Sequence, residues 1–307
     1  MNRHTMDLLR CPIDPRHLLT LDGGVANNGY VDEGTLSCAN CASRYVIESG
    51  IARLLITDDT EISEIKQREI ASRDTSYRHR KTTKFSLRDG ELSELDAFFQ
   101  GVGDCRGLDA LDVGCGVGEM TRVLHPAARL VAVDFSPEAL LNFDAPPSQA
   151  PDLIQADACR LPLADASFDV AMSSQVLEHV PTAELRAAFI AQLARVLKPG
   201  GRLVLSVYNW DLGRQKMRIP KEGFHESGIF YHCYEEHELR ADLSQHFDVK
   251  AIWGVRPFLP KTTRLVRLLG KRVVYWERLW RTSRMALPYC KLLFAVCHRP
   301  LSDGQRH

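Results

Sequence analysis

Short apolar runs, each of strand length, recur from residue 110 to residue 296. They stand at 110–113, 130–133, 152–156, 168–174, 202–208, 249–253 and 289–296. Segments whose apolar residues recur at helical spacing separate several of these runs, at 119–124, 183–197 and 235–247. Strands that alternate with helices predict an α/β fold. We therefore expect a seven-stranded sheet with helices on both faces.

A glycine turn follows the first of these strands, in the sequence LDVGCGVG that ends at Gly118. Gly114, Gly116 and Gly118 have no Cβ, which lets the backbone turn tightly and approach a ligand. Asp134 comes at the end of the next strand and offers two oxygens to the two hydroxyls of a ribose. Together these residues predict a pocket for an adenosine cofactor.

The spacing of the glycines separates two kinds of adenosine cofactor. In the dinucleotide fingerprint the third glycine follows the second by three positions, whereas here the pattern is G-x-G-x-G. Asp112, just before the turn, would repel a pyrophosphate but suits a ligand with an ammonium and a sulfonium group. This favours S-adenosylmethionine. A glycine turn that binds no ligand is the alternative.

Four segments now carry a resemblance to a known family. LDVGCGVGEMT, VAVDFS, DACRLPLADASFDVAMSSQVLEHV and LARVLKPGGRLVLSVYN resemble the class I S-adenosylmethionine-dependent methyltransferases, and most closely the branch with the ubiquinone and menaquinone enzymes. The resemblance covers roughly residues 75–260. It implies a Rossmann-like methyltransferase sheet, a methyltransferase activity and S-adenosylmethionine as the cofactor.

By position, the resemblance implies contacts at the methionine end of the cofactor. Asp112, Gly114 and Gly116 would surround that end, with the backbone of Cys115 nearby. Tyr77, or alternatively Arg73, would meet the methionine carboxylate. A solvated helix face is the alternative for Tyr77 and Arg73.

The resemblance also implies contacts at the other end of the cofactor and at its methyl group. Asp134 would hold the ribose and Phe135 would stack on the adenine, whose edge Asp157 and Ala158 would contact. The last two positions of this set, Ser174 and Gln175, would lie under the methyl group that is transferred.

Composition and charge narrow the class of protein. The chain has 307 residues, 45% hydrophobic and 25% charged, which is ordinary for a globular protein of two domains. Its 39 basic and 39 acidic side chains cancel, which argues against nucleic acid as the main partner. Nine cysteines, an odd number, predict reduced thiols and a cytoplasmic location.

Cysteine pairs at the start of the chain predict a small domain at 1–57. Cys11-Pro-Ile-Asp14 and Cys38-Ala-Asn-Cys41 are separated by turn signals, as in a zinc ribbon. The segment resembles the zinc-ribbon-like activator of tRNA and protein methyltransferases. Asp14 stands at the fourth ligand position, and His17 is a second candidate for it. The alternative is a ribbon that has lost its structural zinc.

The other boundaries place a helical linker and lid at 58–95 and the methyltransferase domain at 96–307. An insertion at 254–288 contains a basic amphipathic segment, 261–284, with eight basic residues and one acid. Such a segment can lie on an anionic membrane, accept a lipid-like substrate, contact RNA or simply cap the pocket.

The acceptor pocket is expected after the fifth strand of the predicted sheet, in the aromatic and histidine-rich segment 208–234. Three histidines are candidates for a base that would deprotonate the acceptor: His179, His225 and His232. We expect methyl transfer to an O, N or C atom of a small, apolar metabolite. The alternatives are methylation of RNA or protein, with the ribbon and the basic segment as docking surfaces, and a binding protein without activity.

Overall fold

The computed structural model describes residues 1–27, 29–56, 61–79, 89–146, 150–257, 273–281 and 283–301. The strands are β1 Leu19–Asn27, β2 Tyr30–Cys38, β3 Arg44–Glu48, β4 Ile51–Arg53, β5 Asp109–Val113, β6 Arg129–Asp134, β7 Asp152–Gln155, β8 Phe168–Ser174, β9 Leu197–Tyr208, β10 Glu222–Phe224, β11 Phe230–His232, β12 Asp248–Pro257 and β13 Cys290–His298. The helices are α1 Arg3–Met6, α2 Glu61–His79, α3 Asp89–Val102, α4 Pro137–Leu141, α5 Ala183–Val196, α6 Leu212–Lys216, α7 Glu236–Ser244 and α8 Val273–Arg281. Among the described residues, no helix has the length and apolarity needed to cross a bilayer.

One sheet runs through the molecule in the order β1-β2-β3-β4-β7-β6-β5-β8-β9-β13-β12. Strands β7, β6, β5, β8 and β9 pair in parallel, and β13 runs antiparallel to both of its neighbours. Because the carboxyl ends of the parallel strands meet at one edge of the sheet, the residues that follow them share one site.

The two faces of the sheet are covered by different helices. Alternate residues of β5 point to opposite sides, so Ala110 packs in one apolar cluster with Phe98 of α3. Leu111 packs in the other, which contains Phe189 of α5 and Leu239 of α7. Because helices cover both faces of the sheet, the side chains on both sides of each central strand are buried, and the strand is apolar along most of its length.

In the part of the chain that the structure describes, the sheet has eleven strands and not the predicted seven, because β1–β4 extend it at the β7 side. We call residues 1–56 the N-terminal module. Its last strand pairs in parallel with β7, and the Leu54 amide donates to the Gln155 carbonyl oxygen at 2.8 Å. Leu9, Leu36 and other apolar side chains of the module belong to the same core cluster as Leu111.

Most predicted strands and helices agree with the structure to within a few residues, but the helix expected at 119–124 does not. Only a short 3₁₀ turn, Thr121–Leu124, is present. Gly118 before it has a φ of +89°, and Pro126 follows it closely. This leaves room for a single turn.

Candidate active site

A cavity of about 720 Å³ opens at the carboxyl ends of the parallel strands. Its volume is within the range of small-molecule sites. All the positions predicted to contact a cofactor line it: Tyr77, Asp112, Gly114, Cys115, Gly116, Asp134, Phe135, Asp157, Ala158, Ser174 and Gln175. The fold thus brings these residues to one place, whereas their individual roles stay predictions.

The glycine turn is shaped so that side chains would not fit. Gly114 has a φ of +76°, and a Cβ there would lie 2.2 Å from a methyl group of Val176. Gly116 has a φ of +54°, and a Cβ there would meet the hydroxyl of Tyr77 at 3.1 Å. Both the backbone conformation and the close neighbours therefore require glycine.

Asp134 is held at the end of β6 by two backbone amides. Its Oδ2 accepts from the Gly116 amide at 2.8 Å and its Oδ1 from the Ser136 amide at 2.9 Å. Burial raises the pKa of this carboxyl, and the two amides oppose that shift. A carboxylate oxygen has two lone pairs, so each oxygen can accept one more hydrogen bond.

Asp112 is 1% exposed at the end of β5. The Thr121 hydroxyl donates to its Oδ2 at 2.6 Å. Burial raises the pKa of Asp112 to about 7, with the charge of Asp134 acting in the same direction. A cationic ligand beside Asp112 would favour the ionised form.

One face of α2 forms a wall of the cavity with the side chains of Lys66, Glu69, Arg73 and Tyr77. Glu69 and Arg73 form an ion pair of 2.6 Å. The Lys66 ammonium donates to Asp157 Oδ2. Sequence reasoning missed Lys66 and Glu69. The four residues follow one another at intervals of three or four, a spacing that indicates one face of a helix.

Glu94 of α3 is a fully buried carboxylate behind the cavity that sequence reasoning also missed. It accepts hydrogen bonds from the hydroxyls of Ser174 at 2.9 Å and Ser206 at 2.7 Å. It also accepts from the Gln175 amide nitrogen at 2.9 Å, and Arg256 pairs with it at 2.9 Å. Because Glu94 holds the nitrogen of Gln175, the amide oxygen is the atom left for a ligand.

The three histidines proposed as bases have different surroundings in the structure. His179 lines the cavity and its Nδ1 donates to the Phe230 carbonyl oxygen at 2.7 Å, which leaves Nε2 unprotonated in the neutral ring. Burial lowers the pKa of His179 to about 3. The ring of His225 lies 6.1 Å from that of His179, and His225 is not among the residues that line the cavity.

His232 does not suit the role of base. Its Nδ1 contacts a Glu222 carboxylate oxygen at 2.9 Å, and its Nε2 contacts one of Glu238 at 2.7 Å. Both ring nitrogens are therefore taken by carboxylates outside the cavity. The sequence showed the histidine but not these two partners.

Glu178, next to His179 in the chain, is a buried acid that no prediction included. Its side chain is 0% exposed, and neither carboxyl oxygen has a hydrogen-bond partner in the part of the chain that the structure describes. Burial raises the pKa of Glu178 to about 8.

Three thiols meet in the N-terminal module. The sulfur atoms of Cys11, Cys38 and Cys41 all lie within 4.8 Å of one another, with Cys11 and Cys41 separated by 3.6 Å. Asp14 is not part of this group, because Arg16 holds its carboxylate at 2.7 Å and His17 lies 3.4 Å from it. The structure thus brings three of the four predicted metal ligands together and leaves Asp14 outside the group.

Only part of the basic segment 261–284 lies within the described residues, namely α8 and residues 283–284. Arg278 and Arg281 of α8 form ion pairs with Asp96 of α3. The prediction for residues 261–272 lies outside the described residues.

Residues 111–205 match a family model described as a methyltransferase domain. A 2-methyl-6-phytyl-1,4-hydroquinone methyltransferase of Synechocystis sp. is 34% identical over 113 residues, which are 36% of this chain and 35% of that protein. A malonyl-[acyl-carrier protein] O-methyltransferase of Hahella chejuensis is 39% identical over 105 residues, 32% of this chain and 36% of that protein. The chain covers 40%, 35% and 37% of the length of three curated relatives.

A solved structure shares the fold over most of the chain. It is the Burkholderia thailandensis 1,6-didemethyltoxoflavin-N1-methyltransferase with 1,6-didemethyltoxoflavin and S-adenosylhomocysteine bound. The TM-score is 0.53 at 16% identity, over 88% of this chain and 96% of the other.

Proposed function

We propose that this chain, which contains a class I S-adenosylmethionine-dependent methyltransferase domain, transfers the methyl group of that cofactor to a small molecule. The observation that carries the proposal is the single cavity onto which the glycine turn, Asp112 and Asp134 all open. Acids at the ends of two adjacent strands suit a ligand with a ribose at one end and positive charge at the other.

The chain's residues would hold the cofactor along the strand ends. The oxygens of Asp134 would accept from the ribose hydroxyls, and Phe135 and Ala158 would lie against the adenine. The carboxylate of Asp112 would face the ammonium group, and the guanidinium of Arg73 the methionine carboxylate. When bound, S-adenosylmethionine supplies a methyl group on a positively charged sulfur, which is already a good electrophile.

The acceptor would lie on the other side of Gln175, against His179 and Tyr208. Both side chains line the cavity, and their rings are 5.4 Å apart. The Nε2 of His179 would take a proton from the acceptor. With a pKa lowered to about 3, His179 is a weak base. The site therefore suits an acceptor atom that is neutral or gives up its proton readily.

Titration calorimetry with S-adenosylhomocysteine tests the cofactor assignment. We expect micromolar binding, and Asp134→Ala should weaken it at least about tenfold through the loss of charge-assisted hydrogen bonds. Asp165→Ala is the matched control, because its side chain is 71% exposed and it does not line the cavity. No heat with the wild type, or equal affinity in Asp134→Ala, would overturn the proposal.

Incubation of extract fractions with labelled cofactor identifies the acceptor class. Label in a small, extractable molecule supports the proposed function, and the atom that carries it separates O-, N- and C-methylation. Label in RNA or protein would instead support the second candidate, in which the N-terminal module and exposed basic residues dock a macromolecule. The cytoplasmic location stays a prediction from cysteine usage.

We also propose that Cys11, Cys38 and Cys41 hold a structural zinc ion. Three mutually close sulfur atoms are the soft ligand set that zinc prefers. Among the described residues no fourth protein ligand joins the group, so a further donor would complete a tetrahedron. Metal analysis of the purified protein should find about one zinc per chain, and Cys38→Ser should lose it. Less than a tenth of an equivalent in the wild type would reject the site.

A further inference from the structure

The sheet edge beside the cavity carries an exposed apolar surface. The side chains of Met217, Leu279, Met285 and Tyr289 are 66%, 77%, 80% and 44% exposed. Met217 directly follows α6, Leu279 belongs to α8, and Met285 and Tyr289 belong to the turn at 284–289, against which α6 and α8 both lie. We call these four residues the apolar patch. Large apolar side chains that are exposed together mark an interaction site more often than isolated ones do.

Exposed basic side chains flank the patch residues in the described segments that carry them. Lys216, Arg218 and Arg284 are exposed beside Met217 and Met285. The segments 212–218 and 283–291 contain no Asp or Glu. The patch is therefore apolar at its centre and positively charged at its rim.

The one acid of α8 points into the protein and helps to fix the patch. Glu277 is 6% exposed, and its Oε1 accepts from the Arg256 backbone amide at 3.1 Å. Arg281, which is 0% exposed, pairs with Asp96 at 2.6 Å. Because these two residues anchor one side of α8, Leu279 is left on the outer side.

The same contacts place the patch next to the acceptor side of the cavity. The Arg256 side chain lines the cavity, and its own backbone is bonded to α8. Tyr208 also lines the cavity, and the amide of the following residue, Asn209, donates to the Lys291 carbonyl oxygen at 2.9 Å. Residues that line the cavity, or that directly follow one that does, are thus hydrogen-bonded to the segments that carry the patch.

We propose that the apolar patch lies on the surface of an anionic phospholipid bilayer and turns the acceptor side of the cavity toward it. Met and Leu side chains would enter the boundary between headgroups and acyl chains, and the basic rim would lie among anionic headgroups. An RNA surface would match the charge but would leave the exposed Leu and Met side chains without apolar contacts. An anionic membrane therefore matches both the apolar centre and the basic rim of the patch. This part of the proposal rests on the proposed function: the acceptor is then a lipid-like molecule dissolved in the membrane.

Co-sedimentation with vesicles tests the surface without any methylation assay. The wild type should bind vesicles that contain phosphatidylserine, bind phosphatidylcholine vesicles more weakly, and lose part of its binding at high salt. The double variant Leu279→Glu/Met285→Glu should lower the partition coefficient at least about tenfold. Leu301→Glu is the control, because Leu301 is 46% exposed and follows β13 at the opposite end of the sheet.

Three outcomes would overturn the proposal: no vesicle binding by the wild type, equal loss in the control variant, or binding to a structured RNA in place of vesicles. Titration of the wild type and the same variants with S-adenosylhomocysteine tests the proposed function independently of the membrane surface. Normal cofactor affinity with lost vesicle binding supports the surface. Absent cofactor affinity in the wild type contradicts the proposed function alone.

Discussion

Ala52 lies directly opposite Ile154 in a parallel pair of strands, one from the N-terminal module and the other from the central sheet. Three residues farther on, at Leu55, the module has left the sheet and its chain contributes to the cavity, which Leu55 and Ile56 line. The module is therefore part of the wall of the candidate active site as well as a neighbour of it.

This continuity predicts that a cavity made inside the module destabilises the whole chain. Leu36 is 0% exposed, so Leu36→Ala should lower the free energy of unfolding by about 2–5 kcal/mol. All four tryptophans come after residue 209, so their fluorescence reports on the part of the chain that follows the module. We expect the tryptophan transition itself to move to lower denaturant.

Val46→Ala provides the comparison, since Val46 belongs to the module but is 49% exposed and should change stability little. A tryptophan transition that stays in place in Leu36→Ala, while the far-ultraviolet signal changes, would show that the module unfolds independently.

The glycine turn allows a matched pair of substitutions. Gly114 and Gly107 have nearly the same φ, +76° and +75°, but a Cβ at Gly107 would meet no atom within 4 Å. Both changes to alanine should therefore cost about 1–2 kcal/mol in backbone strain. Only Gly114→Ala should also collide with Val176 and weaken S-adenosylhomocysteine binding, by at least about tenfold. Equal affinities of the two variants in calorimetry would argue against a cofactor at this turn.

Glu94→Gln should destabilise the protein and disturb the cavity. The change removes the negative charge opposite Arg256 and one of the acceptors shared by Ser174 and Gln175. We expect a loss of about 2 kcal/mol or more, measured by denaturant titration, because polar groups are left buried without partners. Glu64→Gln is the control, since that side chain is 67% exposed in an ion pair on α2. A Glu94→Gln variant as stable as this control would be the contrary result.

The buried acid Glu178 predicts a pH dependence of stability. Burial raises its pKa from 4.5 to about 8, so the folded state holds a proton that the unfolded state has released. Stability from this group is complete below the unfolded pKa of 4.5 and is lost as pH rises from there through about 8. Between pH 6.5 and 8.5 the wild type should lose about 1–2 kcal/mol more than Glu178→Gln does.

His179 does not titrate in the folded state within this window, because its folded pKa of about 3 lies far below it. Asp112 titrates in both proteins and cancels in the comparison. Denaturant titrations at the two pH values give the measurement, with the exposed Glu226→Gln as control. If the stabilities of the wild type and Glu178→Gln changed equally with pH, the predicted contribution of Glu178 would be contradicted.

Sequence predicted the parts of the site that depend on local chemistry. The strand before Gly114 and the acid at Asp134 could be located because a strand, a turn and a strand end are encoded within a few residues. Lys66 and Glu69 were within reach, because they share a helical stripe with Arg73.

Other parts depend on contacts between distant segments, which periodicity does not encode. Glu94 is one of several acids in α3, and nothing near it in the sequence indicates that Arg256 pairs with it. His232 appeared as available as His179 until its two carboxylate partners were seen. The strand count was wrong for the same reason, since each half of the β4–β7 pair lies far from the other in the chain.

The pairing of β4 with β7 also decides which backbone the sheet leaves open to solvent. Without the module, β7 would be a terminal strand with the apolar pair Leu153 and Ile154 beside a row of unpaired amides, which is a template for aggregation. With it, the free edge passes to β1, where the register shifts beyond Leu21 and again after Val25. Such irregular edges are poor partners for another strand. The module therefore covers the β7 edge, which would otherwise be one place for a second copy to pair.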